Sequence, residues 1–284
     1  MGTVSMCKKV NRTLVNLLIF HLLAGITLHV QAALLSTTAT GNSRIAIAQP
    51  LVPNNLPVAN SFCNTNSCLF YGGDFDSTAP NPDGVLDVTS GGIDGTVYVP
   101  FIVPNNTKWR IFGLFGNYFM SPNPPVLNNG PNVYWTINTG MTDGNGGTQI
   151  ASGFSTAALL DTSKNWIGYE LYTINSPVSV VLGPGKYWMA VVPQDSTGTQ
   201  IGFLANTLGA GSIGRSAVQD ASFFNSIHFN INFVNANTQI INADFSAGVT
   251  GIKLKNSGDC EHLGWQIWEF QNESSCKKFM SNRH

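Results

Sequence analysis

Charge is scarce in this chain. Asp, Glu, Lys and Arg make up 10% of its 284 residues, where a soluble domain carries about 25%. There are 14 Lys and Arg against 15 Asp and Glu, with no basic stripe of the kind that holds nucleic acid. Asn, Thr, Ser, Gly and Gln must cover the surface instead. Histidine is rare as well, at 5. No HExxH and no paired-histidine spacing occurs, so the common zinc-hydrolase pattern is excluded. Glutamate outside the cysteine loop near the C-terminus is limited to Glu170; the others are Glu261, Glu269 and Glu273. A glycosidase carboxylate pair could therefore draw only on Glu170 and an aspartate. No long apolar stripe of helical period and no fixed-period repeat is present.

What is there begins with the first 32 residues. Lys8, Lys9 and Arg12 precede a mostly apolar run from Leu14 to Val30, and Val30-Gln31-Ala32 follows as a cleavage site. This has the form of a secretory signal peptide. The alternative is a membrane anchor, but the run is short against the ~20 apolar residues a spanning helix needs. Cleavage after Ala32 is expected, with no membrane span afterwards, and it places the protein in the periplasm or outside the cell. It removes three basic residues and no acidic one, leaving 11 basic and 15 acidic residues and a formal charge of −4. Cys7 leaves with it. The other four cysteines form two local pairs, Cys63/Cys68 and Cys260/Cys276. Disulfides suit an oxidising compartment; the rival reading, a zinc site, wants C-x2-C spacing with histidine partners.

Strand signals recur through the middle of the chain, separated by Gly, Pro and Asn clusters. They lie at Gly95–Val103, Trp109–Phe119, Val133–Ile137, Thr148–Phe154, Trp166–Thr173, Val178–Leu182, Lys186–Val192, Gln200–Ala205 and Ser222–Val234. A further strand is expected at Ser43–Ala48, and a long loop over 72–94. Many short strands at this spacing predict an all-β fold, an antiparallel β-sandwich or jelly roll. The expected organisation is a signal peptide over 1–32, an extended segment over 33–67, the sandwich over 68–250 and a cysteine-bounded tail over 251–284.

The 72–94 loop is the richest site candidate. Asp74, Asp76, Asp83, Asp87 and Asp94 fall in it, and no Lys or Arg occurs between Arg44 and Lys108. Calcium takes six to eight oxygens from such loops, so Asp74, Asp76, Asp83 and Asp87 are candidate Ca2+ ligands. The competing reading is a solvated loop whose Asp and Asn side chains close turns. Gly209-Ala210-Gly211-Ser212-Ile213-Gly214 fits G-x-G-x-x-G, but without a βαβ unit it reads as a flexible loop and not as a dinucleotide site. His228 is expected on the open face of a strand. Trp109, Trp135 and Trp188 are expected in the core, and Trp265 and Trp268 against the last disulfide. Exposed aromatics on a sandwich can stack on sugar rings.

At Tyr71-Gly72-Gly73-Asp74-Phe75-Asp76 the chain resembles a group of secreted bacterial proteins. Asn117 to Ser121, Gly144 to Thr148, Gly168 to Glu170, Pro184 to Trp188 and Phe223 to Asn225 continue the likeness. It implies a single extracellular β-sandwich and no particular activity. Many of those proteins end in a Pro-Glu-Pro sorting tail, which is absent here. The segment with Cys260, Gly264-Trp265, Trp268, Phe270, Asn272, Cys276 and Phe279 is similar to a short cysteine-bounded tail found on assorted secreted bacterial proteins. The expected function is a non-catalytic cell-surface or matrix binding module, with a glycan or a surface protein as partner. Two alternatives stand beside it: a self-associating structural protein, and a hydrolase using Glu170 and a loop aspartate.

Overall fold

The computed structural model describes residues 63, 67–75, 84–105, 107–166, 168–215, 221–238 and 244–281. The strand expected at 43–48 lies outside them. In chain order the strands are β1 (Cys68–Tyr71), β2 (Val85–Leu86), β3 (Thr89–Ser90), β4 (Ile93–Asp94), β5 (Thr96–Val103), β6 (Trp109–Ser121), β7 (Val133–Thr139) and β8 (Thr148–Ser155). There follow β9 (Ala158–Trp166), β10 (Tyr169–Leu182), β11 (Gly185–Asp195), β12 (Ile201–Leu204), β13 (Phe223–Ser226), β14 (Ile231–Asn235) and β15 (Ala247–Lys253).

They form two sheets. One runs β1-β15-β6-β10-β9, with β12 pairing the end of β6 and β2 pairing β12. The other runs β14-β13-β5-β11, with β7 and then β8 beyond β11, and the short β3 and β4 beside the end of β11. Pairing is antiparallel apart from β3 with β11. The chain is therefore the expected β-sandwich. Its inner faces meet in one apolar core that includes Val97, Val99, Phe101, Trp109, Ile111, Leu114, Ile174 and Met189. Phe101 sits at its centre, 6.0 Å from the Trp109 ring and 5.7 Å from Tyr187. Burying such a side chain contributes roughly 1.5–3 kcal/mol.

β6 is the spine of the first sheet. From Gly113 to Met120 every residue is buried, because the core covers one face and loops cover the other. That is why this stretch reads as an apolar run interrupted by Asn117 and not as an alternation. Tyr118 extends from β6 across the core. Its hydroxyl lies 3.0 Å from Asp87 Oδ2 and also bonds the Val191 carbonyl of β11 in the opposite sheet. A phenol has one proton, and a carbonyl can only accept. The Tyr118 proton goes to Val191, so the Asp87 contact needs a proton on the carboxyl. Asp87 is completely buried, and that burial pushes its pKa well above the ordinary carboxylate range.

Four elements differ from expectation. The end of the expected 72–94 loop holds the short strands β2, β3 and β4, because Val85, Asp87, Val88 and Ser90 are buried there. The segment 222–234 is a hairpin, not one strand. Asp94 accepts the backbone N–H of His228, Asn230 takes φ 51°, and its N–H closes the turn on Ile227. His228 thus sits at an exposed turn. β10 joins two expected strands into one, passing Pro177 by a register shift. β9 had no strand signal, because Asp161, Ser163, Lys164 and Asn165 occupy an exposed edge.

Beyond β15 the chain forms a 3-10 turn (Ser257–Cys260) and the helices α1 (Gly264–Ile267) and α2 (Glu273–Ser281). The Cys260–Cys276 disulfide closes them around Leu254, Trp268 and Met280, with Trp265 packed alongside. Closing a loop of this length stabilises by about 3 kcal/mol in the chain-entropy model. Lys108 docks the unit on the sandwich: Nζ donates to the Trp268 carbonyl at 2.8 Å and lies 4.3 Å from the Phe270 ring centre.

Asp87→Asn tests the Tyr118 clasp. The native state holds a proton at Asp87 that the unfolded state releases near pH 4. Stability therefore falls as pH rises from there to the raised native value. Urea melts across that range should show Asp87→Asn losing this slope and matching or exceeding the parent at neutral pH. An unchanged slope with a less stable variant at neutral pH would contradict the assignment.

Candidate functional site

The outer face of the first sheet is not bare. Beyond β1, Gly72 to Phe75 carry the chain onto it, where Phe75 meets Phe119, and the Cys63–Cys68 disulfide ties Cys63 to the start of β1. The Gly-rich loop lies against this segment. Tyr71 and Ile213 exchange backbone hydrogen bonds at 2.8 and 3.0 Å, and the Asp74 N–H donates to the Ala210 carbonyl at 2.7 Å. Gly211 has φ +70°, and a Cβ there would stand 2.7 Å from Asp74 Oδ2. The G-x-G-x-x-G stretch is a clamp on the Tyr71–Asp74 turn, which explains its glycines by backbone geometry.

Between this segment and the sheet lies a cavity of about 80 Å³. Tyr71, Asp74, Asn117, Thr162, Lys164 and Thr173 supply its polar lining; Phe75, Phe115 and Leu171 supply the apolar part. Asn117 organises the floor. Its Nδ2 donates to Ser246 Oγ at 2.7 Å and to Tyr71 Oη at 3.2 Å, and its Oδ1 accepts from Thr173 Oγ1 at 2.6 Å. Tyr71 passes its proton to Asp74 Oδ1 at 2.9 Å, and Ser246 gives its proton to the Gly73 carbonyl at 2.6 Å. Each donor is used once, so the directions are mutually consistent. Burial, with the Asp74 carboxylate adding to it, pushes the Tyr71 phenol well above its usual range. It stays a neutral donor and cannot act as a base near neutral pH.

The rim carries opposite charges. Asp74 is exposed on one side. Lys164 stands on the other, opposite Leu171 on β10. It is placed by a bulge in β9, where Ser163 takes φ 56° and Asp161 Oδ1 accepts the Ser163 N–H at 2.7 Å. Bulges of this kind re-aim side chains. Phe75 meets Phe119 edge-on at 4.7 Å, with Trp166 6.5 Å away, so an aromatic wall borders the cavity.

The sequence candidates separate. Asp74 lines the cavity. Asp87 is in the core against Tyr118. Asp94 accepts backbone N–H groups of the β13–β14 turn. Asp76 and Asp83 lie outside the described residues. Among the described residues no three His, Cys, Asp or Glu side chains gather as a metal-ligand set. Glu170 shares its parity on β10 with Tyr172 and Ile174 of the core, not with Leu171 and Thr173 of the cavity, and it accepts from Asn165 at 3.1 Å. The two cysteine pairs are both disulfides. Trp109 and Trp188 are buried and Trp135 half-buried. Sequence reasoning about chemistry passed over Asn117, Thr173 and Lys164. The one available signal was an asparagine and a threonine inside otherwise apolar strands.

No family model, no curated protein and no solved structure matches this chain.

The clamp is testable by substitution with an internal control. Gly144 also has positive φ, at +78°, but open space around its Cβ position. Alanine at either glycine carries a left-handed penalty of roughly 1–2 kcal/mol. Gly211→Ala should cost more than Gly144→Ala in urea unfolding, because it also pushes on Asp74. Equal costs would mean that the loop does not bear on the turn.

Proposed function

We propose that this protein is a secreted, non-catalytic binding module whose ligand is a cell-surface or matrix glycan held at the Asp74–Lys164 cavity. The observation that carries the reading is the pairing, at one cavity, of an aromatic wall with a charged rim. Phe75, backed by Trp166 and Phe119, offers an apolar ring surface, and Asp74 and Lys164 stand beside it. A sugar presents C–H faces and hydroxyls together, and sites that hold one combine these two features. The floor supports a binding role over a catalytic one. Asn117, Thr173, Tyr71 and Ser246 spend their hydrogen bonds within one network that ends on Asp74 and Gly73 and holds the wall rigid. Two disulfides suit a compartment outside the cytoplasm. Among the described residues no helix is long and apolar enough to cross a membrane.

A self-associating structural role is the second reading. It rests on β8, an edge strand without a charged residue or proline, on which Ile150 and Phe154 are 46% and 64% exposed. Natural edges usually carry such guards. Sedimentation analysis separates the two readings, since a protein that remains monomeric at high concentration removes the second.

Co-sedimentation with insoluble polysaccharides tests the first. The parent should sediment with at least one of them. Asp74→Ala should abolish this, and Phe75→Ala should weaken it about tenfold or more, equivalent to about 1.4 kcal/mol. Equal sedimentation of parent and both variants would contradict the site assignment.

A further inference from the structure

The two rim charges of the cavity are left unanswered by the fold around them. Asp74 Oδ1 takes the Tyr71 hydroxyl, while Oδ2 has no hydrogen-bond partner among the described residues. Lys164 makes no ion pair among the described residues, although ion pairs join Arg215 to Asp244 and Lys277 to Glu261 and Glu273. Nor does Lys164 reach its place by default. The bulge that turns it toward the cavity holds Ser163, a residue without glycine's freedom, in a left-handed conformation. Local strain of this kind persists only where the surroundings impose it, and it concentrates at binding sites.

A ligand that satisfies this rim must bring hydroxyl donors to Asp74, an anion to Lys164 and a C–H face to Phe75 and Leu171. A neutral hexose leaves the ammonium without a counter-charge. An amino sugar answers Asp74 and repels Lys164. A sugar acid supplies all three from one ring. We propose that the cavity takes a uronate unit of an acidic polysaccharide, with its carboxylate at Lys164 and its hydroxyls at Asp74. This rests on the glycan reading above and narrows it. The cavity, at about 80 Å³, admits one edge of one ring, so the polymer would lie across the outer face with a single unit turned inward.

Calorimetric titration of the full chain with a galacturonic acid trisaccharide and with its uncharged galactose counterpart tests the inference. The acidic sugar should bind about tenfold tighter or better at low salt. Salt should shrink that advantage by screening the exposed pair. Lys164→Met should remove the preference, bringing the two sugars to the same affinity, and Lys164→Arg should retain it. Unchanged thermal melts would show that both variants keep the fold, as an exposed position should. Equal affinities, or a preference that survives Lys164→Met, overturns the inference and leaves the glycan reading intact. Failure of both sugars to bind overturns the inference, and failure to sediment with every polysaccharide as well overturns the glycan reading with it.

Discussion

The side-chain amide of Asn117 is the interaction on which the outer face of this sandwich depends. It sits in the middle of β6, flanked by β15 and β10, where an unpaired amide would cost about 1–3 kcal/mol. Its three hydrogen bonds reach three separate parts of the chain: Tyr71 at the end of β1, Thr173 on β10, and Ser246 just ahead of β15. With those made, the Tyr71 hydroxyl donates to Asp74 and the Ser246 hydroxyl to Gly73. One polar residue in an apolar strand therefore sets the turn, the carboxylate and the wall of the cavity.

The inner face is organised differently. There the two sheets pack through apolar side chains around Phe101, and the polar exception is the Asp87–Tyr118 clasp. The two tyrosine contacts divide the work. Tyr118 ties one sheet to the other through the core, while Tyr71 ties Asp74 to Asn117 on the outer face of one sheet. Both phenols are held neutral by burial. The molecule thus places its rigid, chemically quiet groups beneath the cavity and its charged groups, Asp74 and Lys164, at the opening.

Much of the fold was legible in the amino-acid sequence, because half-buried and buried strands leave alternating or continuous apolar runs. β5, β6, β7 and β11 are such cases. β9 was not, since an edge strand exposed on both sides has no pattern to leave. The hairpin at 223–235 was hidden because the apolar alternation runs straight through its turn, and only the distant Asp94 decides that Ile227 faces solvent. The site was half legible. Asp74 stood out by charge, and the Tyr71–Asp76 motif by its glycines. That Asp87 belongs to the core could not be read from a run of aspartates in a loop. Lys164 and Thr173 are ordinary residues locally, and become a site only when β9 and β10 are brought beside Tyr71, Asp74 and Phe75.

The most direct test of the Asn117 account is amide hydrogen exchange on Asn117→Ala beside the parent. The account predicts faster exchange confined to the Tyr71 and Asp74 amides and their partner Ile213, with β5, β7 and β11 of the opposite sheet unchanged. Exchange that is unaltered at Tyr71 and Asp74, or raised equally in both sheets, would contradict it.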